Sequence, residues 1–288
     1  MTTMRTDAAT QTLPPEVVGA VLERLGLTQR PAPTLDGLRE LYLAWCRGVL
    51  NDSVQKRLHL GRNRPGPLPI STPLTFFEAF LDHGTGGTCW SHAIGLYSLL
   101  DALGFEVRGA AGSMLGLTPP ENGPSHGTVI ATIDDQDYLV DGAMFIEDVP
   151  ALVPGEGSEA GPAPFTVRID PNDLGLWDIT FRMAHSDKPI TCRLEVDGVG
   201  LEYYEERWEH SRQHSFFNSS LFVRRNLPGN RALTYGRGKT LELQPDGAVV
   251  VTAVESAAER HSLLRDVFGL SQEVVDLIPP DDEGKALF

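Results

Sequence analysis

The chain has 288 residues, 41% hydrophobic and 22% charged, enough for one large domain or two to three packed subdomains with a sizeable core. A formal charge of −15 and a pI near 4.9 argue against nucleic acid or anionic membrane as a main partner, since both repel an acidic surface. No apolar run approaches the roughly 20 residues that span a bilayer, and MTTMRTDAATQTLPPE lacks a signal-peptide core, so the expectation is a cytoplasmic protein.

The first ~85 residues read as helical. In PPEVVGAVLERLGL, Val17, Val18, Val21, Leu22 and Leu25 recur at three- and four-residue steps. TLDGLRELYLAWCRGVL follows, with Thr34 as N-cap, Leu38, Leu41, Trp45 and Val49 on one face, and Cys46 as a packed thiol. HLGRNRPGPLPIST is a proline-rich loop, and TPLTFFEAFLDHG a helix with Thr72 as cap and Pro73 at its first position. From Thr88 a helix runs to about Leu103, its apolar stripe ending at a Gly104 stop. FEVRGAAGSML reads as a strand, and HGTVIATIDDQDYLVDGAMFIEDV as two strands joined by a polar turn around Asp134 to Asp137. Residues 150–164 are a Pro- and Gly-rich loop, and strands follow at 165–170, 178–183 and 190–196. LEYYEERWEHSRQ is a helix; SLFVRRNL, RALTYGRGKTLELQ and GAVVVTAV are strands. SAAERHSLLRDVFGL is a helix opened by a Ser256–Glu259 capping box, and DDEGKALF a frayed tail. The order is helices, a strand-rich middle and a mixed α/β end.

Chemistry concentrates in GTGGTCWSHAIGLYSLL, where Cys89 opens a helix behind a glycine run. A helix N-terminus favours a thiolate, and a cysteine nucleophile also needs a base and a group to orient that base. The three cysteines, Cys46, Cys89 and Cys192, are widely spaced and form neither a disulfide framework nor a CxxC motif. The glycine run lacks the Lys-Ser/Thr ending of a phosphate loop, so it reads as a tight turn. His83, Cys89 and His92 lack a fourth ligand at suitable spacing, so no metal is expected. His126 is the base candidate. Asp141 lies in the next strand, and a hairpin centred near Asp134 sets the pair opposite or one diagonal step apart, within carboxylate–imidazole reach. Cys192 and Cys46 read as structural.

GGTCWSHAIGLYSLLDALGFEVR resembles the active-site helix of the arylamine N-acetyltransferase family, and HGTVIATIDDQDYLVD resembles that family's His-bearing strand, acidic turn and following strand. VLERLGLTQRPAPTLDGLRELYLA and FFNSSLFVRRNLPGNRALTYGRG are similar to its helical opening and its late strand and turn, so the likeness covers most of residues 18–240 in a consistent order. The resemblance implies an α+β fold: a helical domain over 1–86, the active-site helix plus a β-barrel-like domain over 87–185, and an α/β lid over 186–288. It implies a ping-pong acyltransferase in which Cys89 takes an acyl group from acetyl-CoA or a related acyl-CoA and passes it to a small-molecule amine, with His126 as base and Asp141 orienting it. Trp90, His92, Gly127 and Phe145 are the expected substrate-binding residues, and Arg224 and Arg225, with Arg231, the candidates for a CoA phosphate. No permanently bound cofactor is expected. The chain departs from the family pattern at Thr85, where an arginine is usual, and at Ser91 and Ala93, where the family carries Glu and Asn; VDGAMF replaces a VDVGFG-type segment. These departures keep an acyl carrier protein as donor, a biosynthetic amide synthase and a non-catalytic binding module as alternatives, and the same triad with water as acceptor keeps a Cys-His-Asp hydrolase as another.

Overall fold

The computed structural model describes residues 12–117, 119–183, 186 and 188–281. Most of DDEGKALF lies outside them. In chain order the elements are α1 (Pro15–Arg24), α2 (Leu35–Gly48), β1 (Asn51–Asp52), α3 (Val54–Leu60), α4 (Pro73–His83), α5 (Cys89–Leu103), β2 (Glu106–Met114), β3 (His126–Ile133), β4 (Gln136–Val140), β5 (Ser158–Ala160), β6 (Val167–Pro171), β7 (Trp177–Phe181), β8 (Ile190–Val199), α6 (Leu201–His214), β9 (Phe222–Leu227), β10 (Arg231–Gly236), β11 (Lys239–Leu243), β12 (Val249–Ala253), α7 (Ala257–Ser262) and α8 (Gln272–Leu277). No helix among the described residues is long and apolar enough to cross a membrane.

The caps sit where the local chemistry asks for them. Thr34 accepts the Gly37 N–H at 3.3 Å, and Thr72 forms a capping box with Thr75 ahead of Pro73. Ser256 accepts the Glu259 N–H at 3.2 Å, whereas the Glu259 carboxylate turns to the Glu255 N–H rather than closing the expected box. Beyond Ser262 that helix widens into a π-turn, Leu263–Val267. α5 stops at Gly104, whose φ of 89° suits a residue without Cβ.

α5 is buried on nearly every side, from Trp90 to Leu103. It packs against α4 and α6 and against β2 and β3. It therefore forms the centre of the main core, which also takes Trp45, Phe76, Phe77, Val129 and Phe145. β2, β3 and β4 belong to a seven-stranded antiparallel sheet in the order β4-β3-β2-β8-β7-β6-β5, curled into a half-barrel. β8 pairs with both β2 and β7, so this sheet runs on past residue 186. A second, five-stranded sheet has the order β1-β9-β10-β11-β12. In it the two-residue strand β1 pairs with β9, joining the helical opening to the late strands.

β1, α3 and α8 carry no readable periodicity. β1 is two residues long, and α3 buries Lys56, Arg57 and His59, polar residues that hide its inward face from a hydrophobicity pattern. The loop expected over 150–164 contains the short strand β5 and a bridge between Tyr138 and Ala151.

Candidate active site

Cys89 is the first residue of α5, and the two glycines before it are required by close approach. A Cβ at Gly86 would lie 2.0 Å from the Leu50 carbonyl oxygen; Gly87 has φ 72°, and a Cβ there would meet the Ser91 hydroxyl at 2.1 Å. The amides of Gly86 and Gly87 donate to one oxygen of the buried Asp52 carboxylate, at 2.7 and 3.2 Å, and its other oxygen takes the Val54 N–H at 2.8 Å. The glycine amides are thus spent on a side chain of the protein itself, and the run is a turn held at its back by β1. Burial raises the Asp52 pKa to about 7, against the pull of the three amides.

The hairpin turns on Asp134 and Asp135, both with positive φ (51° and 61°), and pairs Ile133 with Gln136 through Val129 with Val140. Extending that register by one step sets Asp141 opposite Thr128, so His126 lies one diagonal step away. His126 Nε2 and Asp141 Oδ2 are 2.6 Å apart, and both side chains are buried. The Cys89 sulfur lies close enough to favour the charged imidazole, whose Nε2 is taken by Asp141. The Cys89 thiol reaches the Ser125 carbonyl at 3.6 Å. Burial alone would lower the His126 pKa; the Asp141 charge and hydrogen bond, together with the Cys89 sulfur, outweigh it and hold the pKa raised. Burial would likewise raise Asp141, but His126 and the Ala143 and Met144 amides, which donate at 3.0 and 2.7 Å, hold it lowered.

The aromatic side of α2 braces this pair from behind. The Tyr42 hydroxyl donates to the Asp141 carbonyl at 2.6 Å and accepts the Ile146 N–H at 3.3 Å. The Trp45 indole N–H is shared between the Gly142 carbonyl at 3.2 Å and His92 Nδ1 at 3.3 Å. Since indole nitrogen only donates, His92 Nδ1 is the acceptor and its Nε2–H points to the Leu50 carbonyl at 2.9 Å. Burial lowers the His92 pKa to about 4, so this ring is neutral at pH 7.

Cys89 and His126 open onto a cavity of about 300 Å³, whose walls include Phe181, Met183, Phe216, Phe217 and Phe222. Among the described residues no group of three His, Cys, Asp or Glu side chains is placed to hold a metal ion.

A nucleophilic-type sulfur at a helix start, a buried imidazole–carboxylate pair and an adjoining apolar cavity, in this chain order, invite comparison with known proteins. The arylamine N-acetyltransferase of Mycolicibacterium smegmatis is 23% identical over 254 residues, spanning 81% of this chain and 88% of that protein. The N-acetyltransferase family model matches residues 69–277. The chain belongs to the arylamine N-acetyltransferase family. It is accordingly an enzyme, and a transferase. Solved arylamine N-acetyltransferases share its fold. The M. smegmatis structure superposes with a TM-score of 0.76 at 19% identity, over 91% of this chain and 97% of that one. A Mycobacterium marinum arylamine N-acetyltransferase in complex with CoA gives 0.73 at 18% identity, over 91% and 98%.

Within this arylamine N-acetyltransferase fold the residues singled out from the sequence separate into two groups. Cys89, Trp90, His126 and Arg224 line the cavity; His92, Gly127, Phe145 and Arg225 are not among its lining residues. Gly127 is where β3 meets α5, since a Cβ there would lie 2.6 Å from the Trp90 ring. Phe145 is fully buried, edge-on to His92 and under the Arg224 guanidinium. Arg225 points to the opposite face of β9 from Arg224 and donates to the Val267 and Arg47 carbonyls. Arg231 pairs with Glu242 at 2.8 Å. Where the family pattern is broken, Thr85 bonds Ala79 and Gln55, Ser91 bonds the Thr88 carbonyl at 2.9 Å, and Ala93 packs where a Gly127 side chain would otherwise sit.

Tyr42 and Asp52 had no signal in the sequence, and Trp45 only that of an apolar helix face, though each acts directly on the segments that carry Cys89 and Asp141. Replacing Asp52 by alanine strands three backbone N–H groups in the core. The expected result is a loss of about 3 kcal/mol of stability, from one to three kcal/mol per buried unsatisfied group after partial relaxation, read as a lower urea midpoint.

Proposed function

We propose that the protein moves an acetyl group from acetyl-CoA to an arylamine in two steps, through a thioester on Cys89. The observation that carries this reading is the buried His126–Asp141 pair at 2.6 Å, whose imidazole lines one cavity with Cys89 at the start of α5. An imidazolium and a helix N-terminus both favour negative charge on the sulfur between them. The thiolate attacks the acetyl carbonyl, the tetrahedral intermediate collapses, and the departing CoA sulfur takes the proton from His126. Neutral His126 then accepts a proton from the amine as its nitrogen attacks the thioester. Collapse of the second intermediate returns the Cys89 thiolate and the imidazolium. Asp141 keeps the ring oriented and stabilises its charged form throughout. The family membership and the CoA-bound neighbour support the donor, and a cavity walled by phenylalanines suits an aromatic acceptor and keeps water from the thioester.

Rapid mixing with acetyl-CoA in the absence of amine, followed by acid quench and intact-mass measurement, tests the two-step route. One acetyl group should appear on Cys89 and be discharged on adding an arylamine, with no adduct in Cys89→Ala. Acetyl transfer to the amine by an enzyme that never acquires the adduct would overturn it.

A further inference from the structure

A row of three polar side chains crosses the five-stranded sheet where that sheet faces the cavity. Arg224 on β9 is the register partner of Asn51 on β1 and of Thr234 on β10, so the three side chains share one face. All three line the cavity. Each also carries a buried polar atom without a hydrogen-bond partner among the described residues: Asn51 Oδ1, Arg224 Nε and Thr234 Oγ1. Thr234 is 2% exposed and Arg224 8% exposed.

The Arg224 guanidinium is poorly satisfied for so buried a cation. Its Nη2 reaches the Met144 carbonyl only at 3.4 Å, and its flat face lies 5.5 Å from the Phe145 ring. The Glu147 carboxylate acts on it, but that group is engaged by Arg47 at 2.7 Å and by Asn226 at 3.0 Å. A buried donor left without a partner is costly, more so when charged, and a folded chain that keeps three such groups side by side on a cavity wall has a use for them. The chemistry of the row is specific. A guanidinium offers parallel N–H groups matched to a carboxylate, a threonine hydroxyl can donate to the same anion, and the Asn51 carbonyl accepts an N–H or O–H beside it. Asn51 is steadied for this by its Nδ2, which donates to the Ala143 carbonyl at 3.2 Å.

We propose that Asn51, Arg224 and Thr234 form a carboxylate-binding subsite, so that the preferred substrate carries a negative charge in addition to the group that reacts at Cys89. The substrate class rests on the acyl-transfer reading above; the binding itself does not. The carboxylate can belong to the amine acceptor or to the acyl chain of the donor, and one set of binding measurements separates the two.

The probes are two pairs that differ only in charge and cannot react with each other: 4-aminobenzoate against its methyl ester, and a carboxyethyl thioether of CoA against the propyl thioether. Calorimetry should show one charged member bound at least about tenfold more tightly than its neutral partner by the wild-type protein. Arg224→Gln should reduce that ratio to about twofold or less, and Thr234→Val should narrow it in the same pair. A preference in the first pair assigns the carboxylate to the acceptor, and in the second to the donor. The subsite is overturned if neither charged probe is preferred, if the preference survives Arg224→Gln, or if that substitution weakens both CoA thioethers equally, which would make Arg224 a contact for CoA itself. If Arg224→Gln fails to fold, the Thr234→Val ratio decides. Failure of acetyl transfer leaves these binding ratios standing, and failure of the ratios leaves the Cys89 thioester standing.

Discussion

Replacing Asp141 by asparagine should lower turnover by about 10³–10⁴-fold, the scale on which the orienting carboxylate of a nucleophile–base–acid triad acts. Asp141 is bound on every side. One carboxylate oxygen takes the Ala143 and Met144 amides, the other meets His126 Nε2, and its backbone carbonyl accepts from Tyr42. An asparagine can keep its carbonyl oxygen on the two amides only by aiming its NH2 group at Nε2, which forces the other tautomer of the ring and removes the charge that stabilises the imidazolium. The amine KM should change little, since the loss falls on the transition state rather than on binding. Stability should fall by less than the ~3–5 kcal/mol typical of breaking a fixed buried ion pair, because His126 can shed its proton when its partner is gone. Steady-state kinetics and urea denaturation of the same variant separate the two effects.

The second large effect is expected at His126. With glutamine in its place, the sulfur loses its cationic neighbour and CoA loses its proton donor, so acetylation of Cys89 should slow by at least about 10³-fold. The pH range over which the pair is intact follows from the signs of its shifts. His126 is raised in the folded protein, so its contribution to stability is complete below the unfolded imidazole value near 6.5 and is lost as pH rises through the higher folded value. Asp141 is lowered, so its contribution is present above the unfolded carboxyl value near 3.9 and is lost as pH falls through the lower folded value. Across neutral pH both partners are charged, and the imidazolium beside Cys89 is a standing feature rather than one that titrates near pH 6.5.

What could be read in advance was local. The start of α5, the Gly104 stop and the hairpin turn each depend on residues within a few positions of one another, and the turn centre brings His126 opposite Asp141 or one diagonal step away, a choice that the observed register settles as diagonal. The supports of the site are not local. Tyr42 reaches Asp141 across 99 residues of chain, Trp45 reaches Gly142 across 97, and Asp52 reaches Gly86 across 34. Nothing in the residues around Asp52 distinguishes it from an ordinary loop acid, because its partners are backbone amides of a distant turn. The pairing of β1 with β9 is hidden for the same reason, and with it the row Asn51, Arg224 and Thr234. Strand alternation says that Arg224 and Arg225 face opposite ways, but only the packed sheets decide that Arg224 faces the cavity. His92, three residues after Cys89, has the spacing of a site residue; the helix is buried all round, and the ring faces Trp45 and Leu50 instead.

The rate at which iodoacetamide alkylates Cys89, measured against pH in the wild type and in His126→Gln, bears most directly on the sulfur–imidazole contact. A wild-type rate well above that of the variant at pH 6 and pH 7, because only the wild type keeps a cationic neighbour beside the sulfur, is the expected result. Two parallel curves, both climbing with pH from the same low value at pH 6, would contradict it.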